Sequence, residues 1–171
     1  MQGTTETARM PSLAYLSLGS NVGDREKYLR EAIHKLKTLG RVRSVSSFYE
    51  TEPVEFAEQP WFVNCAVALE TSQSAYQLMS GVLEIERDIG RQRLQKKGPR
   101  IIDIDILLFG DEIVNTPDLT IPHPAMAERR FVLKPLAEIA GQARHPVLKK
   151  TVGELLHELP AGQIVHKAKT S

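Results

Sequence analysis

The chain has 171 residues, 42% of them hydrophobic, which suits one globular domain with a proper core. Its net charge of +1 argues against a general nucleic-acid binder, which carries a marked basic excess. A single cysteine, Cys65, excludes an intramolecular disulfide, and no run of about eighteen apolar residues offers a membrane span.

The first twelve residues are polar, without the apolar core of a signal peptide, and read as a flexible tail in a cytoplasmic protein. Leu13–Leu18 is a short apolar strand closed by Gly19-Ser20-Asn21. Asp24 can cap a helix that runs to about Leu39, with Leu29, Ile33, Leu36 and Leu39 as its apolar stripe and Gly40 as its stop. Val42–Glu50 reads as a strand, followed by a loop rich in Pro and Glu from Thr51 to Pro60. Phe62–Glu70 is another strand, and Cys65 within it reads as a buried thiol. Ser72 or Ser74 caps a second helix with the stripe Leu78, Val82, Ile85 and Ile89, ended by Gly90.

A basic loop and an apolar strand come next. Five of the ten residues from Arg91 to Arg100 are basic, none is acidic, and Gly98-Pro99 breaks any helix. The strand is Ile101–Phe109, turned by Gly110-Asp111, and Glu112–Asn115 reads as a short antiparallel return. Pro122-His123-Pro124, a short helix near Ala125–Arg130 and a last helix around Val152–Leu159 complete the pattern. The expected architecture is α+β: a ferredoxin-like antiparallel sheet with helices on its faces. One domain over residues 13–160 is expected, between tails at 1–12 and 161–171.

Asp103 and Asp105 carry the chemistry. They interrupt the apolar strand two residues apart, so they share a face, with Cα atoms roughly 6.6 Å apart. Two like charges in an apolar setting need a neutralising partner. A divalent cation supplies it, and Mg²⁺ favours one or two carboxylates plus phosphate oxygens. The adjoining cationic loop suits polyphosphate, through Arg forks and Lys point charges. Together these point to a nucleoside triphosphate site.

Other candidates are weaker on residues alone. Glu86, at the rim of the second helix's stripe, fits an ordinary solvated glutamate better than a ligand contact. Phe62 and Phe131 can sandwich a planar heterocycle whose edge Asn64 reads, although core packing explains either Phe as well. His123 is pre-organised between two prolines, for a phosphate contact or for a turn. The other histidines show no zinc spacing, and Gly19-Ser20-Asn21-Val22-Gly23 lacks the Gly-Lys-Ser/Thr ending of a P-loop. A nucleotidyltransferase would also use a Gly-Ser turn and a D-x-D strand, but here the two are far apart in the chain. A non-catalytic ligand-binding module has no need for paired Asp beside a cationic loop.

The segment Lys96-Lys97-Gly98-Pro99-Arg100-Ile101-Ile102-Asp103-Ile104-Asp105-Ile106-Leu107 resembles the signature of the 6-hydroxymethyl-7,8-dihydropterin pyrophosphokinase family of folate biosynthesis. So do Leu18-Gly19-Ser20-Asn21, Ser47-Phe48-Tyr49-Glu50-Thr51, Gln59-Pro60-Trp61-Phe62-Val63-Asn64, and Pro122-His123-Pro124 followed by Arg129 and Phe131. The resemblance implies that Asp103 and Asp105 bind two Mg²⁺ ions bridging the phosphates of ATP. It implies that Arg91, Arg93 and Arg100 contact or close over the polyphosphate, assisted by His123 and Arg129, with Glu86 near the nucleotide. Phe62 and Phe131 would sandwich the pterin, Asn64 would bind its edge, and Thr51 and the backbone near Val54 would help. Lys97 stands where the family often has Trp, and Leu83 where a polar residue sometimes helps hold the nucleotide. Both departures bear on lid closure and nucleotide affinity rather than on the reaction. The implied partners are small molecules, with the protein a monomer or weak homodimer.

Overall fold

The computed structural model describes residues 9–52, 60–91 and 101–169, with the backbone alone at Arg91. Its elements in chain order are β1 (Ser12–Ser20), α1 (Arg25–Leu36), β2 (Arg41–Val45), β3 (Tyr49–Thr51), β4 (Phe62–Thr71), α2 (Ala75–Arg91) and β5 (Asp103–Phe109). After these come β6 (Val114–Asn115), β7 (Thr120–Ile121), a 3-10 turn (Met126–Glu128), α3 (Arg130–Ala140), α4 (Val152–Glu158) and β8 (Val165–Lys167).

Local chemistry sets most of the boundaries. The Asp24 side chain accepts the Lys27 N–H at 3.2 Å and starts α1. Of the two serines offered for α2, Ser74 is the cap: its Oγ accepts the Gln77 N–H at 3.1 Å, and Gln77 Oε1 accepts the Ser74 N–H at 2.8 Å. Thr151 and Glu154 form the same reciprocal box at α4. Gly40 is required by proximity, since a Cβ there would lie 2.3 Å from the Glu70 carbonyl oxygen.

The main sheet runs β5-β1-β4-β3-β8, with β2 also paired to β4, and every pairing is antiparallel. Helices α1 and α2 cover one face, burying Leu29, Ala32, Leu36, Leu78, Val82 and Ile89 against Leu16, Leu18, Cys65, Val67 and Ile104. This is the ferredoxin-like core expected from the order of elements. Burial pushes the Cys65 thiol up to about 12, so it stays neutral and inert. On the opposite face α3 and α4 pack Val132, Leu133, Leu136, Val152 and Leu155 against Ala66, Leu107 and Leu108. Among the described residues no helix is long and apolar enough to cross a membrane.

Four features differ from the sequence expectation. Val42–Glu50 is not one strand. Ser46 Oγ donates to the Ser47 carbonyl at 2.7 Å and accepts the Ala66 N–H at 2.8 Å, so side-chain bonds displace the ladder between β2 and β3. The return strand β6 pairs with β7 rather than with β5. Helix α3 has Pro135 inside it, where proline removes a backbone donor, yet the apolar face of α3 holds the helix on the sheet. Finally, residues 161–171 are not simply a tail, because Val165–Lys167 adds β8 to the edge of β3 with Val165 buried.

Glu138 joins α3 to the break between β2 and β3. Its carboxylate accepts the Ser47 N–H at 3.0 Å, the Ser47 hydroxyl at 3.0 Å and the Tyr49 hydroxyl at 2.7 Å. Burial alone would raise this carboxyl, but the Tyr49 and Ser47 bonds and the nearby Lys167 charge hold it below its ordinary value. A depressed folded-state value stabilises the fold above the ordinary carboxylate range and ceases to do so as pH falls through the folded value. Glu138→Ala should therefore cost about 1 kcal/mol at pH 7, the net worth of a typical hydrogen bond in a site that water can reach. In urea unfolding curves the gap to the parent chain should narrow at pH 3. A gap that widens in acid would contradict this role.

Candidate active site

The antiparallel register aligns one row of residues across four strands. Asp103 on β5 pairs with Gly19 on β1, Gly19 pairs with Asn64 on β4, and Asn64 pairs with Tyr49 on β3. Directly opposed residues share a face, and so do residues two apart along a strand. Asp105, Asn64, Phe62 and Thr51 therefore belong with Asp103 to the face on which α3 packs. Adjacent strands are about 4.8 Å apart, so Asp103 and Asn64, two strands apart, stand roughly 10 Å from each other across the sheet.

At the β5 end, Asp103 and Asp105 are both half-buried. The backbone between them is fixed from the other side: Glu86 on α2 accepts the Ile104 N–H at 2.7 Å. β5 is the edge of the sheet, and Glu86 takes up an amide there. The expectation of a merely solvated Glu86 is thus corrected. Its spacing on the helix gave no sign of this bond, because the edge position of β5 arises only from the tertiary fold.

His123 stands next to Asp105. Its backbone N–H donates to the Leu107 carbonyl at 3.0 Å, and its Nδ1 accepts the Ala125 N–H at 3.2 Å. With Nδ1 used as an acceptor, the ring proton of the neutral form lies on Nε2. Burial lowers the affinity of the imidazole for a second proton; Asp105 opposes this shift and Arg129 reinforces it. His123 is thereby a neutral donor within the fields of both Asp105 and Arg129. The Arg129 guanidinium in turn lies 5.7 Å from the centre of the Phe131 ring, in cation–π range. Phe131, at the first turn of α3, is half-buried.

At the β4 and β3 end the polar groups are buried and waiting. Asn64 is 4% exposed and Thr51 2%, and neither Asn64 Oδ1 nor Thr51 Oγ1 has a hydrogen-bond partner among the described residues. Unmet buried polar atoms are costly, so a pair of them on one face calls for a ligand edge. Phe62 begins β4 directly opposite Thr51. Gly19 makes room for the amide: a Cβ there would lie 2.6 Å from Asn64 Nδ2. In the sequence Gly19 reads as part of a turn after the first strand, and only the register reveals what its missing side chain does.

The structure thus brings Asp103, Asp105, Glu86, His123 and Arg129 together at one side and Thr51, Asn64 and Phe62 at the other, with Phe131 on the same face beside Arg129. Val54, Arg93, Arg100 and the side chain of Arg91 lie outside the described residues. Among the described residues no cluster of three His, Cys, Asp or Glu forms a closed metal site. Two same-face carboxylates fit a hard cation that completes its shell with phosphate oxygens and water.

Comparison with known proteins identifies the family and the fold. Residues 15–141 match the family model described as 7,8-dihydro-6-hydroxymethylpterin-pyrophosphokinase (HPPK). The chain is 48% identical over 135 residues to the 2-amino-4-hydroxy-6-hydroxymethyldihydropteridine pyrophosphokinase of Bacillus subtilis, covering 78% of this chain and 81% of that protein. It is 41% identical over 146 residues to the folic acid synthesis protein fol1 of Pneumocystis carinii, covering 85% of this chain but only 20% of that longer protein. A solved structure of Plasmodium falciparum HPPK-DHPS superposes with a TM-score of 0.71 at 18% identity, over 86% of this chain and 43% of the other. That last likeness is one of fold. On the family match and the sequence identity, the chain belongs to the 7,8-dihydro-6-hydroxymethylpterin-pyrophosphokinase family.

Proposed function

We propose that this protein transfers diphosphate from ATP to the hydroxymethyl group of 6-hydroxymethyl-7,8-dihydropterin, releasing AMP, in folate biosynthesis. Family membership supports the activity. The observation that carries the site assignment is the single row from Asp103 to Asn64, with a cation-binding pair at one end and an unmet polar edge at the other. A pterin held at Asn64 and Thr51, between Phe62 and Phe131, presents its hydroxymethyl group toward β5. A nucleotide triphosphate held at Asp103 and Asp105 meets it there.

Two Mg²⁺ ions on Asp103 and Asp105 would neutralise phosphate charge and orient the β-phosphorus for in-line attack. The chain's own residues do the rest. Glu86 keeps the two carboxylates at a fixed spacing through the Ile104 amide. His123 offers its Nε2–H, and Arg129 its guanidinium, to phosphate oxygens whose charge grows during transfer. The basic segment 91–100 directly precedes β5 in the sequence, and its Arg91, Arg93 and Arg100 would supply further cations to the phosphates. The hydroxymethyl oxygen forms a bond to the β-phosphorus, the bond from that phosphorus to the AMP oxygen breaks, and the hydroxyl proton is released. No covalent enzyme intermediate is required, so rate acceleration comes from positioning and electrostatics. A cytoplasmic location and action as a monomer or weak homodimer accompany this reading.

Product analysis tests the reaction. With reduced pterin, ATP and Mg²⁺, AMP should form in step with pterin diphosphate, whereas pyrophosphate release would favour a nucleotidyltransferase. Asp103→Ala and Asp105→Ala should each remove charge stabilisation worth several kcal/mol, and turnover with it, at saturating Mg²⁺. Near-normal turnover in either variant would sink the metal assignment.

Two substitutions separate the pterin end from the nucleotide end. Phe131→Ala should weaken pterin binding by about 1–3 kcal/mol, by analogy with base stacking on aromatic rings. Gly19→Ala should leave the fold intact and also weaken pterin binding, because the new methyl displaces the Asn64 amide. Calorimetry should show ATP binding little changed in both. Loss of ATP affinity with pterin affinity spared would mean that the two ends are reversed.

A further inference from the structure

The last residues of the chain hold the strand that carries Thr51. β8 pairs with β3 in the register Tyr49 to Lys167, Glu50 to His166 and Thr51 to Val165. The contacts continue beyond both ends of the ladder. Ala168 N–H donates to the Phe48 carbonyl at 2.8 Å. Glu52 N–H donates to the Ile164 carbonyl at 3.2 Å, Ile164 N–H donates to Glu52 Oε1 at 2.7 Å, and Gln163 Nε2 donates to the Glu52 carbonyl at 2.7 Å. Three hydrogen bonds thus converge on Glu52, the residue after Thr51.

A second set of contacts ties β3 to the start of β4. Glu50 lies 3.4 Å from His166 Nε2 through one carboxylate oxygen and 3.7 Å from the Arg25 guanidinium through the other. Arg25 also donates to the Trp61 carbonyl, and the Trp61 and His166 rings are 5.6 Å apart. Trp61 directly precedes Phe62. The cluster therefore spans the two strands that present Thr51 and Phe62, from the side away from α3 and the metal-binding pair.

Covering an exposed strand edge explains why some segment should pair with β3. It does not explain why the bonds gather on Glu50 and Glu52, either side of Thr51. β3 is only three residues long and Thr51 is its last. On its inner side Thr51 pairs with Phe62 of β4, while Glu52, one residue further, takes its hydrogen bonds from Gln163 and Ile164. The segment responsible also lies beyond residues 15–141, the stretch matched to the family.

We propose that Gln163–Ala168 is a positioning element for the pterin wall, which fixes the Thr51 hydroxyl and the entry of Phe62 through Glu52, Glu50 and Trp61. This rests on the assignment of Thr51 and Phe62 to the pterin site. Two kinds of variant test it: the chain ended at Pro160, and the pair Glu52→Ala and Glu52→Gln. The glutamine keeps an oxygen that can accept the Ile164 N–H. Steady-state assays of AMP formation should show the shortened chain with a KM for the pterin raised roughly tenfold, as expected for loss of about one net hydrogen bond's worth of ordering. Its KM for ATP and its kcat should stay within about twofold of the full chain. Glu52→Ala should raise the pterin KM in the same selective way, and Glu52→Gln should restore it.

An unchanged pterin KM in a folded shortened chain would overturn the proposal. So would a common loss of kcat and of affinity for both substrates in Glu52→Ala. If the shortened chain does not fold, the contrast between the two Glu52 variants decides. If the full chain itself makes no AMP from pterin and ATP, the reading of the site fails, and the positioning role falls with it.

Discussion

Strand register is the constraint on which this molecule depends. Side chains alternate with a period of two, so a slip of one residue between β1 and either neighbour would exchange the two faces of the sheet. Asp103 and Asp105 would then point into the core under α1 and α2, and Leu18 and Cys65 would point toward the substrates. The apolar face prevents the slip. Leu16, Leu18, Val63, Val67, Leu69 and Ile104 are buried together there, and a one-residue slip would carry a strand's apolar set to the other face. The same packing that stabilises the sheet therefore sets which side chains line the site and how far apart they stand.

The site is built from groups that the fold leaves incompletely satisfied. Two neighbouring carboxylates call for positive charge, and buried Asn64 and Thr51 oxygens call for donors. The contrast with their supports is instructive. Glu86 is engaged by a backbone amide, His123 by Leu107 and Ala125, and Glu138 by Ser47 and Tyr49. The supporting groups are fixed within the fold itself, while the Asn64 and Thr51 oxygens have no partner among the described residues. Preorganisation of this kind puts the cost of ordering into folding rather than into the reaction.

Much of this was legible in the chain itself. The Asp pair stands out because two charges break an apolar alternation, and the caps Asp24 and Ser74 act within their own turns. What escaped the sequence depends on contacts between distant segments. Glu138 meets Ser47 and Tyr49 across some ninety positions, which no local pattern encodes. Pro135 hid α3, because propensity opposes a helix there and only packing against β1 and β4 restores it. β8 is three residues long, too short for periodicity to signal, and exists because β3 offers an open edge. The role of Glu86 required knowing that β5 is an edge strand. The arginines of 91–100 and Val54 rest on sequence and resemblance alone.

The central claim is that one row across the sheet holds the cation and phosphates at β5 and the pterin at β4 and β3. Mn²⁺ in place of Mg²⁺, bound with a non-hydrolysable ATP analogue, can test it through paramagnetic broadening of backbone amide resonances. Broadening should be strongest at Gly19, Asp103, Ile104, Asp105 and His123. It should fall off through Asn64 to Thr51, strand by strand over roughly 5 Å steps, and leave α4 sharp. Broadening centred on Asn64 and Thr51, or on any element other than β5 and its neighbours, would contradict the account.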